Sequence, residues 1–203
     1  MISVVALLLV QMTARANVAV APIFSDHMVL QRDVKVPVWG KAAPGEEVTV
    51  TFLGQKKSAK ADDKGQWLVR LDELKAGGPH ELTVTGKNTV TFKDVLVGEV
   101  WLCSGQSNMQ WTMAQLDKEG KNTAGASNPL LRLNGGTWNV CIPETAHKFS
   151  ATAYYFGVDL QKSLGVPVGL INRSVGGTSA RLWTSKDAIQ STPELKPFVD
   201  AIM

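Results

Sequence analysis

Between residues 20 and 95, apolar and polar positions alternate in short runs. Val48, Val50 and Phe52 interleave with Glu47, Thr49 and Thr51, a period of two that predicts a strand with one buried face. Comparable runs fall at 35–39, 67–70, 81–85 and 89–92. Turn residues separate them: Ala43-Pro44-Gly45, Asp62-Asp63-Lys64-Gly65 and Ala76-Gly77-Gly78-Pro79. Turn signals recurring every ~8–12 residues have the spacing of a β-sandwich. Residues 17–95 are therefore read as a small sandwich domain.

The pattern changes beyond residue 95. Residues 95–103 form an apolar, β-rich run that stops at Ser104-Gly105. Ser107 follows in a tight polar turn, and Asn108-Met109-Gln110-Trp111 opens a helix. Farther on, Ser150 is placed to cap a helix reaching Leu164, with Ala153, Phe156, Gly157, Leu160 and Leu164 on one face. Gly165 ends that helix and Pro167 prevents its continuation. An apolar strand over 166–172 comes next, of the kind buried on both faces of a parallel sheet. Thr184 or Ser185 caps a further helix. Thr192-Pro193-Glu194 starts another, proline suiting the first helical position, and it is still running at Met203. Helix then apolar strand, beside the strand leading into Ser107, predicts a parallel sheet covered by helices. The fold class is thus α+β in two parts: a small N-terminal sandwich, then a parallel sheet covered by helices over 96–203. No long linker interrupts 93–98, so close packing of the two parts is expected.

Composition narrows the partners. The 21 Lys and Arg exceed the 18 Asp and Glu by three, and the basic residues are scattered, so nucleic acid is not suggested. The apolar run at 4–10 is too short for a membrane span, which takes ~20 residues. With Ala14-Arg15-Ala16 beyond it, the run reads as a signal peptide over 1–16, giving a secreted or periplasmic protein without a membrane partner. No Lys or Arg precedes the run, and the alternative is a buried first strand. An exported protein can pair its two cysteines, Cys103 and Cys141, but Cys103 lies on a strand expected to be buried, where lone cysteines pack unpaired. No Cys/His cluster has zinc-ligand spacing, so no metal is implied. No glycine-rich phosphate loop follows a strand.

The chemistry concentrates at Ser107. Strand, sharp turn, serine, helix is a geometry that lifts a hydroxyl above a sheet edge, with the first helical N–H groups facing what it attacks. Gly105 can take the backbone angles such a turn needs. The Gly-x-Ser-x-Gly elbow of α/β-hydrolases is excluded, because position 109 is Met109. A second loop, Asn172-Arg173-Ser174-Val175-Gly176-Gly177-Thr178, follows the apolar strand and should reach the same edge of a parallel sheet. Glycines there let a backbone N–H approach an anion. Gln106 and Asn108 either hold the turn by hydrogen bonds or are simply turn residues.

The string Val100-Trp101-Leu102-Cys103-Ser104-Gly105-Gln106-Ser107-Asn108-Met109 resembles the first block of the sialate O-acetylesterase family, within the SGNH (GDSL-like) hydrolases. Phe24-Ser25-Asp26-His27-Met28-Val29-Leu30-Gln31-Arg32 and Val36-Pro37-Val38-Trp39-Gly40 resemble its opening, and Gly176-Gly177-Thr178 with Trp183-Thr184-Ser185 its second block. The resemblance implies that 96–203 is the first part of an SGNH-type α/β/α domain after a sandwich, in a carbohydrate esterase removing O-acetyl groups from sialic acid or another glycan. Ser107 would be the nucleophile. The N–H groups of Ser107 and Gly177, or Gly176 in its place, would form the oxyanion hole, with Gln106, Asn108 and Thr178 in support. No metal or organic cofactor is implied.

Three features depart from the family. Arg181 stands where members often carry an acidic residue. The block supplying an asparagine donor is missing, and so is the Asp-x-x-His block that supplies the base. Only His27, His80 and His147 are present. Glu144-Thr145-Ala146-His147 has the right spacing but precedes the glycine loop, so His147 is read as a polar loop residue, and His27 and His80 as structural or solvated. The chain is accordingly expected to be a truncated product or one fragment of a split gene, nearly inactive alone, with an exposed sheet edge and either poor solubility or a C-terminal companion fragment that completes it. The alternative is a non-catalytic carbohydrate-binding protein built on the sandwich, with Trp39 or Trp67 stacking on sugars. The expectation that both tryptophans face the core weighs against it.

Overall fold

The computed structural model describes residues 17–195. The apolar run at 4–10, the Ala14-Arg15-Ala16 site and the continuation of the last helix to Met203 lie outside them. The strands are β1 (Ala19–Val20), β2 (Val29–Gln31), β3 (Val36–Lys41), β4 (Glu47–Phe52), β5 (Gln55–Lys60), β6 (Gln66–Leu71), β7 (Gly77–Thr85), β8 (Thr89–Gly105), β9 (Asn128–Asn134), β10 (Trp138–Cys141) and β11 (Val168–Ser174). The helices are α1 (Ser107–Gln110), α2 (Met113–Leu116), α3 (Pro143–His147), α4 (Ala151–Leu164) and α5 (Lys186–Ser191), with 3₁₀ turns at Ala180–Trp183 and Pro193–Leu195.

β1, β3 and β6 form an antiparallel sheet. β5, β4, β7 and the first half of β8 form a second, with β2 added parallel to β8 at residues 96–98. Alternation decides what goes inside. Val38, Val69 and Leu71 from the first sheet meet Val48, Val50, Phe52, Leu82 and Val84 from the second in one buried cluster. The polar strand β5 carries no apolar alternation. It lies at the end of the sheet, where Lys56, Lys57 and Lys60 blunt an otherwise open edge. The Gly77-Gly78-Pro79 stretch, expected as a turn, instead opens β7. The register against β8 shifts between Gly77 and His80, and that irregularity accommodates residues that pair poorly in a regular ladder.

β8 carries the chain into a different layer without interruption. Its residues 99–105 pair in parallel with β11, β11 pairs in parallel with β9, and β10 closes the far side antiparallel to β9. The crossing is tight. A Cβ on Gly98 would overlap the carbonyl of Pro167, which accepts the Glu99 N–H at 2.9 Å. Gly169 leaves room for Val29 and Trp138. Trp138 Nε1 donates to Ile23 O at 2.7 Å, Arg32 Nε meets Glu99 Oε1 at 2.7 Å, and Arg132 holds Asp94 with both terminal nitrogens. The polar ties and close packing join strands that are far apart in sequence.

α4 has the bounds its local signals predict. Ser150 Oγ accepts the Ala153 N–H at 3.2 Å, and Gly165 ends the helix at φ 65°. Its buried face differs from the expected one. Ala151, Ala153, Tyr154 and Gly157 face inward, whereas Phe156 and Leu164 are exposed. Close approach explains this: a Cβ on Gly157 would overlap Leu170, so small residues bring the helix down onto β11 and β9. Phe156 packs edge-on against Trp101 instead, with ring centroids 5.2 Å apart. Cys103 and Cys141 are both buried and unpaired, as expected. Desolvation raises both thiol pKa values, that of Cys141 to about 11, so neither is a ready nucleophile at neutral pH.

Among the described residues, β11 is the sole strand paired with β8 between residues 99 and 105. Leu102 on this stretch is 65% exposed, beside a groove of about 340 Å³ lined by Trp101, Ser104, Met109 and Phe156. An exposed apolar edge templates pairing with other chains. Leu102→Lys is expected to reduce self-association of the chain, measured by light scattering across a concentration series. An unchanged series would show that this edge does not drive it.

Candidate active site

Ser107 stands at the end of β8, on the first residue of the single turn α1. Gly105 has φ 143°, a conformation that side chains other than hydrogen rarely adopt, and it turns the strand sharply upward. The helix expected from Asn108 is this one turn: Trp111 N–H bonds to Ser107 O at 3.0 Å, and the chain then leaves. The turn is clamped to the start of α4. Thr152 Oγ1 donates to Asn108 O at 2.9 Å, and Ala151 N–H to Trp111 O at 2.8 Å. Ser107 is half-exposed, with its hydroxyl donating to Gln106 Oε1 at 2.8 Å. The same oxygen accepts the Ser107 N–H at 3.0 Å. Gln106 thus accepts both polar hydrogens of the serine, while the Asn108 carbonyl anchors the turn.

The second loop arrives at the same edge because β11 runs parallel to β8, with Ser174 level with Gly105. Val175 N–H donates to Gly105 O at 3.0 Å. A Cβ built on Gly176 would lie 3.9 Å from the Ser107 Cα, so the glycine loop is a direct neighbour of the serine. Gly176 N–H donates to Gln110 Oε1 at 2.7 Å. Gly177 is exposed with φ 75° and open space where a side chain would go. Thr178 Oγ1 donates to Val175 O at 2.6 Å and accepts the Trp183 indole N–H at 2.8 Å, bracing the loop. Arg181 is exposed on the following 3₁₀ turn. Ser107 and Gly176 are therefore neighbours, with Gly177 next along the loop; Gln106 and Asn108 flank the serine, and Thr178 braces the loop.

The histidines are occupied elsewhere. His27 Nδ1 lies 2.6 Å from Asp94 Oδ2. His80, on β7, packs edge-on against Phe52 at 5.8 Å. His147 ends α3 rather than sitting in a loop, and its Nδ1 lies 3.5 Å from Thr123 Oγ1. Pro143 at the start of that helix was an unread local signal. Gln110 was not singled out from the sequence. It lies three residues after Ser107, hence on the same side of a helical turn, but its partner is 66 residues away. The expectation for the two tryptophans splits: Trp67 is buried, while Trp39 is 42% exposed, edge-packed on Phe24 at 4.8 Å. β3 directs Val36 and Val38 inward, and alternation sends Trp39 to the outer face.

No family model matches the chain. It is 31% identical over 224 residues to the sialate O-acetylesterase of Rattus norvegicus, covering 87% of this chain and 41% of that protein. It is 33% identical over 206 residues to the Homo sapiens sialate O-acetylesterase, covering 84% of this chain and 39% of that one. The crystal structure of a carbohydrate acetylesterase from Xanthomonas citri superposes with a TM-score of 0.81 at 35% identity, covering 87% of this chain and 44% of that one. The chain spans about two fifths of the length of the curated relatives it matches.

Proposed function

The chain belongs to the sialate O-acetylesterase family, and from that premise we propose that it forms the serine-bearing part of a carbohydrate esterase of SGNH type, removing O-acetyl groups from sialic acid or another glycan. The observation that carries this reading is the meeting of Ser107 and the Gly176–Gly177 loop on one sheet edge, on parallel strands. Ser107 Oγ attacks the acetyl carbonyl carbon, and the carbonyl π electrons move onto oxygen. The acetyl oxygen replaces Gln106 Oε1 as acceptor of the Ser107 N–H, and the Gly177 N–H is the second donor. The hydroxyl proton passes to a base, which returns it to the departing sugar oxygen. Water then releases acetate from the acyl-serine.

A histidine suits that base. His27 meets Asp94, His80 packs on Phe52 and His147 faces Thr123, and among the described residues none of them is paired with Ser107, so we infer a base supplied by another segment. The chain by itself is accordingly near-inactive. Secretion or export to the periplasm rests on the apolar run at 4–10 followed by Ala14-Arg15-Ala16. The test is turnover of a chromogenic acetyl ester by the chain combined with the remaining portion of the Xanthomonas citri esterase. Absence of turnover in a complex that demonstrably forms would reject the reading.

A second reading, glycan binding on the sandwich, has one observation in its favour. The exposed Trp39 lines a groove of about 370 Å³ with Pro22, Lys41 and Gln66. An indole face flanked by polar groups suits a sugar ring. Trp39→Ala should lower affinity for a glycan polymer, measured by calorimetry, and leave turnover of a small acetyl ester unchanged. Equal polymer affinity would dismiss Trp39 as a platform.

A further inference from the structure

The two glycines of the loop beside Ser107 are chemically alike in sequence but differ in their surroundings. The N–H of Gly176 is taken by Gln110 Oε1 at 2.7 Å. A side chain at 176 could not coexist with that contact, because a Cβ there would overlap the same oxygen. At Gly177 a Cβ would meet open space, and the requirement for glycine comes from φ 75°. Among the described residues no acceptor is paired with the Gly177 N–H. Gln110 lies on α1 with Ser107, so its amide ties the nucleophile's turn to the loop that follows β11.

We propose that Gln110 is a positioning residue that divides the roles of the two glycines: it fixes the loop through the Gly176 N–H and leaves the Gly177 N–H as the donor for the acetyl oxyanion. The proposal rests on the ester-hydrolysis reading for its chemistry, but its geometry is testable apart from it. Gly176 is glycine to admit the Gln110 carbonyl, and Gly177 is glycine to adopt its backbone angle. A glutamate at 110 retains an acceptor oxygen at the same reach, whereas alanine does not.

Two measurements on the full chain decide it. In amide hydrogen exchange, Gln110→Ala should speed exchange at Gly176 roughly fivefold or more, the equivalent of one lost hydrogen bond, with α4 amides unchanged. Gln110→Glu should restore protection. In the chain combined with its companion segment, Gln110→Ala should slow phosphonylation of Ser107 by a fluorophosphonate about tenfold, less than the ~10²–10³ lost with an oxyanion donor itself, and Gln110→Glu should recover part of it. Unchanged exchange at Gly176 in Gln110→Ala overturns the proposal, as does faster exchange there with an unaltered phosphonylation rate. Failure of wild-type Ser107 to react at all rejects the esterase reading, and with it the oxyanion role, while the exchange result still judges the tether.

Discussion

Ser107→Ala abolishes acetyl-ester turnover in any assembly of this chain that shows it, with a loss of about 10⁴–10⁶ in kcat and little change in KM. The size follows from what the hydroxyl does. On the proposed mechanism no acyl-enzyme forms without it, and only the donors around the site remain to help water attack directly. The substitution removes a single half-exposed oxygen whose one partner among the described residues is Gln106 Oε1, so the fold is not at risk. A circular-dichroism melt coincident with wild type would verify this. The result has a second half. On the proposed reading the isolated chain with Ser107 intact should already be slow by several orders of magnitude, since among the described residues no histidine is paired with Ser107, and Ser107→Ala should then change little. Only when the companion segment is present should the two proteins separate. Comparable turnover by wild type and Ser107→Ala in that complex would remove the serine from the mechanism. Full turnover by the isolated chain would mean that one of its own three histidines reaches Ser107.

What could be anticipated from the sequence divides along the length scale of the interactions. β4 was legible because its alternation is contained in six residues. The ends of α4 were legible because Ser150 and Gly165 act within one turn of themselves. The lifted serine was legible for the same reason: the strand stop, Gly105 and Ser107 are neighbours. Local signals failed where distant partners decide. Arg132 is 3% exposed in the middle of β9, a place no hydropathy pattern assigns to arginine, and it is there because Asp94, 38 residues earlier, neutralises it. The hairpin of β9 and β10 was missed with it, since Arg132 and Asn134 disguise a buried strand as a polar segment. β5 is polar because it is an edge, a property of the assembled sheet rather than of its residues. Phe156 and Leu164 share the helical face of Ala153, but steric access to the sheet belongs to the small residues beside Gly157. The approach of the glycine loop to the Ser107 turn was legible from two strands expected to run parallel, whereas the Gln110 tether depends on two loops meeting and leaves no trace in spacing.

Asp94→Asn should destabilise the fold by roughly 3–5 kcal/mol at neutral pH, the cost typical of leaving one member of a buried ion pair without its partner. Arg132 donates to Asp94 Oδ2 at 2.6 Å and to Oδ1 at 3.0 Å, and its Nε donates to Pro129 O at 3.1 Å. His27 adds a contact at 2.6 Å from the other sheet region. The residue sits at φ 53°, which asparagine tolerates, so this substitution isolates the loss of charge from backbone strain. The same carboxylate makes stability depend on pH. The Arg132 hydrogen bonds hold its pKa below the ordinary 3.8, His27 adds to the effect, and partial burial opposes it. A folded-state pKa lower than the unfolded one means that the unfolded chain binds protons more readily in acid. The stabilisation is therefore complete above the unfolded value of 3.8 and is lost as pH falls through the lower folded value. Urea midpoints for wild type and Asp94→Asn should differ most near neutral pH and begin to converge only below about pH 4. Arg132→Met, which removes the buried charge together with its need for a partner, should cost less than Asp94→Asn if desolvation of the guanidinium dominates. A midpoint gap that is absent at pH 7, or that widens on acidification, would show that the Arg132–Asp94 pair does not hold the two sheet regions together.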